Sequence, residues 1–165
     1  MTSVQTREPM KTLLKEKEQR EQKAFQYFLE MRDLPRDSEL FESQKPPAPD
    51  ILYKPSSGCT EYELFEICSP NIAATISKTI KSNDGISPVI RPNDTYKETF
   101  ANKLFIKRYK TNYPIELLCY TAGRSMVWDD LVIEDLMPII PEDVQFSRIW
   151  FLGDKLHLLY KSKNL

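Results

Sequence analysis

At 165 residues the chain has the length of one domain and can bury a core without disulfides or a structural metal. Its 23 basic and 24 acidic residues nearly cancel, so overall charge announces neither a nucleic acid nor a membrane surface. Only four glycines occur, at 58, 85, 123 and 153, which removes the glycine-rich fingerprints of dinucleotide and P-loop sites. No apolar run approaches the roughly 18 residues of a membrane span, and the first thirty residues are charged, unlike a signal peptide.

Taken in chain order, residues 1–9 read as a disordered lead-in to a single domain over 10–165. Strong helix formers from Met10 to about Arg32 predict a helix, with Leu14, Glu21, Phe25, Phe28 and Leu29 on or near one face. Leu34-Pro35 is its expected stop, and Ser38–Ser43 reads as a short helical turn. After the stiff KPPAP stretch, DILYK and EYELFEICS flank PSSGCT, the pattern of an antiparallel hairpin. Residues 71–82 suit a helix and 83–93 a loop. A second clear helix is expected over 96–110, capped by Asp94 or Thr95. PIELLCYT reads as a central strand, 128–137 as an acidic helix, and FSRIWFL with KLHLLYK as a hairpin about a two-residue Gly153-Asp154 turn. The sum is an α/β domain with a single mixed β-sheet flanked by helices.

Cys59, Cys68 and Cys119 are an odd number without metal-like spacing, which fits a reducing, cytoplasmic compartment. The lone histidine, His157, reads as a sheet residue with a satisfied hydrogen bond rather than a catalytic base. Any metal must therefore be a hard cation on oxygen ligands. Pro49-Asp50 opens the first hairpin strand and Glu66-Ile67-Cys68 ends the second. Period two puts Glu66 and Cys68 on one face, where Asp50 is expected beside Glu66. Two carboxylates brought together repel, and a divalent cation is the natural remedy.

In these residues the chain resembles the restriction-endonuclease-like PD-(D/E)xK nuclease superfamily, over roughly residues 10–122. Asp50 matches the PD aspartate, Glu66 the (D/E) position and Glu21 the glutamate of the first helix, with Glu18 and Glu30 as weaker matches. Cys68 stands where that family has lysine. The resemblance implies Mg²⁺ (or Mn²⁺) held by Asp50, Glu66 and the Ile67 carbonyl, and metal-assisted hydrolysis of DNA or RNA phosphodiesters. A cysteine serves badly as the lysine's substitute, so either Lys103 reaches in from the following helix or the site is degenerate and binds nucleic acid or a protein partner without cutting.

Between Asp94 and Lys110 five basic residues outnumber two acidic ones, and Lys97, Lys103, Lys107 and Arg108 are candidate phosphate contacts. A solvated helix surface is the plainer reading of the same residues. Residues 129–143 carry six acids and no base, which repels nucleic acid there. Trp128, Trp150 and Phe151 are read as packing of the last hairpin. The last two strands either extend the sheet or pair across a homodimer.

Overall fold

The computed structural model describes residues 8–67, 95–121 and 128–165. The expected disorder of 1–9 falls largely outside these residues, as do the expected helix at 71–82, the loop at 83–93 and the cap at Asp94. Helix α1 (Glu8–Met31) buries Phe25, Phe28 and Leu29, which recur at the i, i+3, i+4 spacing of one helical face. Leu14, by contrast, is exposed, because the first half of α1 has no partner surface among the described residues. The helix ends before Leu34-Pro35. Asp33 turns left-handed (φ 53°), its N–H donates to Glu30 O, and Leu34 N–H reaches back to Leu29 O at 2.9 Å. That is a Schellman closure, with Leu34 returned to the same apolar cluster as Leu29.

Six strands follow: β1 (Phe41–Ser43), β2 (Ile51–Tyr53), β3 (Thr60–Glu66), β4 (Ile115–Tyr120), β5 (Arg148–Leu152) and β6 (Leu156–Lys161). Helices α2 (Thr95–Phe105) and α3 (Asp129–Leu136) lie between β3 and β4 and between β4 and β5. The strands form one open mixed sheet in sequence order. β1, β2 and β3 are antiparallel, β3, β4 and β5 parallel, and β6 returns antiparallel to β5. The last two strands therefore extend the sheet within one chain.

Sheet position explains composition. β4 has a parallel neighbour on each side and is buried at every residue, as a strand covered on both faces must be. One face of the sheet packs Tyr62, Leu64, Leu118 and Tyr120 under α1; the other packs Phe65, Leu117, Cys119 and Phe151 under α2 and α3. Trp150 and Phe151 are packed as expected, whereas Trp128 is 77% exposed at the start of α3.

Three expected boundaries move for local reasons. Only Ser38–Leu40 of the 38–43 segment is helical, because Phe41 turns into the α1 core and Phe41–Ser43 pair with β2. α2 ends at Phe105 rather than Lys110: Ile106 and Lys107 both donate to Asn102 O, and Gln145 Nε2 donates to the carbonyls of Lys103 and Lys107. The last hairpin turn has three residues, since Leu152 pairs with Leu156 and Gly153 N–H donates to Lys155 O. No described helix is long and apolar enough to cross a membrane.

Candidate functional site

The hairpin register decides which carboxylates meet. Tyr53 pairs with Thr60 and Ile51 with Tyr62, so one step further along the ladder Asp50 stands opposite Glu63. Asp50 Oδ2 accepts a hydrogen bond from Leu64 N–H at 2.9 Å, which fixes the carboxylate beside that strand. Alternation along β3 sends Tyr62 and Leu64 to the α1 core and Glu63 to the side of Phe65 and α2.

There Glu63 is 2% exposed, and burial at that depth costs a carboxylate several kcal/mol unless it is paired. Two ammonium groups pair it. Lys103 Nζ, from the last turn of α2, donates to Glu63 Oε1 at 2.6 Å, and Lys107 Nζ donates to the same oxygen at 3.1 Å. Burial alone would raise the Glu63 pKa, but Lys103 first and Lys107 second hold it below the ordinary carboxylate value. Asp50 goes the other way: burial, then the negative charge of Glu63, push it up, partly offset by the Leu64 N–H and Lys103. Glu21, nearly buried on α1, is raised to about 7 by burial first and by Asp50 second, although Lys17 lies 3.4 Å away. Three acids on three elements thus share one electrostatic neighbourhood.

The expected Asp50–Glu66 pair is corrected by the register. Glu66 lies three residues beyond Glu63 on the opposite face and pairs with Arg20 of α1 at 3.5 Å. At about 3.3 Å per residue, meeting Asp50 would require the hairpin to slip by three positions. Ile67 lies further along still; its side chain fills the α2-side core and its N–H donates to Tyr120 O. Cys68 lies outside the described residues. Lys103 does reach in from the helix after the hairpin, but the acid it meets is Glu63.

Nor do the four candidate phosphate contacts share one helix face. Lys97 lies 3.4 Å from Asp135 of α3, Lys103 and Lys107 converge on Glu63, and Arg108 is exposed beyond the end of α2. Tyr109, one of the aromatic residues interleaved with these basic residues in the sequence, sits beneath Lys107, whose ammonium is 4.9 Å from the ring centroid. Its hydroxyl is buried beside Glu63 with no well-formed hydrogen bond among the described residues, and burial followed by Glu63 drives its pKa upward. His157 is a satisfied residue, with Nε2 2.9 Å from Asp129 Oδ2.

Asp50 and Glu63 offer oxygen donors of the kind a hard cation takes, while no group of three or more His, Cys, Asp or Glu side chains is poised for a metal among the described residues. Glu63 was not legible in the sequence, because the closing pair Tyr53–Thr60, which sets the parity and names the residue facing Asp50, is seen only in the fold. Compared with known proteins, the chain matches no family model, no curated protein and no solved structure.

Proposed function

We propose that the chain is a metal-dependent phosphodiesterase acting on nucleic acid, of the PD-(D/E)xK nuclease lineage, with Asp50 and Glu63 holding the ion and Lys103 serving as the relocated lysine. The observation that carries the reading is the 2.6 Å contact of Lys103 with a buried glutamate that stands in register with Asp50. The order of elements supports it: a helix with a buried glutamate, an antiparallel hairpin carrying the acids, a helix carrying the lysine, then a parallel strand. The donor set fits a hard cation: burial first and a neighbouring carboxylate second push Asp50 and Glu21 upward, and a divalent ion held by the oxygens of Asp50 and Glu63 would offset that repulsion.

A bound Mg²⁺ or Mn²⁺ supplies an activated water and offsets charge on the phosphate. The chain supplies the rest. Leu64 N–H holds Asp50 in orientation, and Lys103 keeps Glu63 ionised and adds positive charge beside the reacting phosphate. Glu21, titrating near 7, is able to take up a proton at its carboxylate at neutral pH.

Timed digestion of single- and double-stranded DNA and RNA, with Mg²⁺ or Mn²⁺ and with EDTA, tests the proposal. Glu63→Gln and Asp50→Asn should each lower metal-dependent cleavage by at least about a thousandfold, since each removes charge from the ion's cradle. Lys103→Ala should cost roughly a hundred- to ten-thousandfold, and Glu66→Gln less than about threefold. Cleavage that survives EDTA and Glu63→Gln would sink the proposal. One observation favours a second reading, a degenerate module that binds nucleic acid or a protein partner without cutting. Both Lys103 and Lys107 occupy one oxygen of Glu63, which is also how a purely structural ion pair looks. Calorimetric titration with Mn²⁺ separates the two: heat that Glu63→Gln abolishes belongs to the nuclease, and a featureless titration to the module.

A further inference from the structure

Beside the acidic pair the chain turns basic and aromatic. Residues 101–114 contain Lys103, Lys107, Arg108 and Lys110 and no acid. The segment is held on both sides. Lys110 N–H donates to Pro47 O at 3.1 Å, tying it to the loop that leads into Asp50, and Gln145 holds the carbonyls of Lys103 and Lys107. Within it, Thr111 Oγ1 accepts from Tyr113 N–H at 3.1 Å and donates to Tyr113 O at 2.7 Å, which fixes the backbone that presents the Tyr113 ring. On this anchored support Phe105 is 50% and Tyr113 43% exposed.

We infer that the segment is a binding platform for single-stranded nucleic acid, leading a strand across the Asp50–Glu63 site; the inference rests on the phosphodiesterase reading of that site. Arg108 and Lys110, exposed and outside the pairing that commits Lys103 and Lys107 to Glu63, provide the electrostatic complement to a phosphate backbone. Open rings at the end of α2 and on the ordered loop after it suit what a single strand has and a duplex lacks, namely bases whose faces are free to stack. A duplex keeps its bases stacked on one another and meets the same segment through phosphates alone. The platform therefore discriminates by strandedness and tolerates sequence, because every base has a π-face.

The test is fluorescence anisotropy of a labelled oligonucleotide, single-stranded and annealed to its complement, on the full chain in EDTA so that nothing is cut. The single strand should bind at least about tenfold more tightly than the duplex. Phe105→Ala with Tyr113→Ala should weaken single-strand binding by roughly thirtyfold and leave duplex binding within twofold. Phe105→Trp with Tyr113→Trp should retain it, which separates lost stacking from lost fold. Arg108→Ala with Lys110→Ala should weaken both forms and flatten the log–log salt dependence for the single strand by about 1.4. Equal affinity for the two forms, indifference to the alanine pair, or no binding would overturn the inference. Single-strand binding without metal-dependent cleavage would instead keep the platform and remove the nuclease.

Discussion

A carboxyl buried on a helix beside two other carboxylates makes a poor anion, and Glu21 is one. Burial and Asp50 raise it to about 7, against an ordinary value of 4.5. Below pH 4.5 the group is protonated in both folded and unfolded chains and costs nothing. As pH rises from 4.5 to 7 the unfolded chain loses its proton first, so stability falls through this window and levels off above it. A gap of that size is worth about 3 kcal/mol, at order-of-magnitude precision. Urea unfolding in the absence of divalent ions should show Glu21→Gln matching the wild type near pH 4.5 and exceeding it at pH 7.5. Equal stability at both pH values would place Glu21 in water. Glu21 was legible from helical spacing, and Asp50 from its place before a strand. Glu63 was not, because alternation divides EYELFE between two faces without saying which glutamate faces Asp50; the closing pair of the turn says that.

Among elements, the β5–β6 turn is clamped by a side chain from outside the hairpin. Asp129, the first residue of α3, accepts hydrogen bonds from Asp154 N–H and Lys155 N–H, each at 3.0 Å, and its Oδ2 lies 2.9 Å from His157 Nε2. Burial opposes the ionised form, but these N–H groups and His157 outweigh it and hold Asp129 below the usual range. The clamp explains Gly153 better than backbone freedom does: a Cβ there would stand 2.1 Å from Asp129 Oδ1. Gly153→Ala should cost about 1–3 kcal/mol in thermal or urea unfolding. Most of that cost should vanish when Asp129 is already Ala, a coupling that a double-mutant cycle measures. The sequence announced the turn through Gly-Asp, yet not its third residue, since the carboxylate that shapes it comes from an element 25 residues away. β1 was hidden for a related reason. Three residues carry too little periodicity to declare a strand, and the pairing with β2 makes it one.

At the scale of the molecule, one sheet separates two apolar cores, and the central strands are recognisable because both faces must be apolar. Chain order alone gave α/β and a mixed sheet, since crossovers through α2 and α3 require parallel neighbours. Glu116 is the exception within β4. It is buried, and Arg148 and Trp150 Nε1 satisfy it at 2.8 and 2.7 Å, so a polar residue inside an apolar run is paired through the neighbouring strand.

An open sheet also has two borders, and they differ. β1 is too short to invite another strand, whereas β6 offers six residues of backbone with one side unpaired in the described sheet and Leu158 half exposed. Lys155 precedes β6, Lys161 ends it and Lys163 follows. Charges at such a border act as gatekeepers, making the stacking of one border against another electrostatically costly. Replacing Lys161 and Lys163 with Val should leave the melting midpoint nearly unchanged while light scattering during heating begins at lower temperature or lower protein concentration. Unaltered scattering would mean that the border is covered by other means. Earlier scattering at an unchanged midpoint would mean that Lys161 and Lys163 matter less for folding than for what happens after it, keeping copies apart when the protein is crowded.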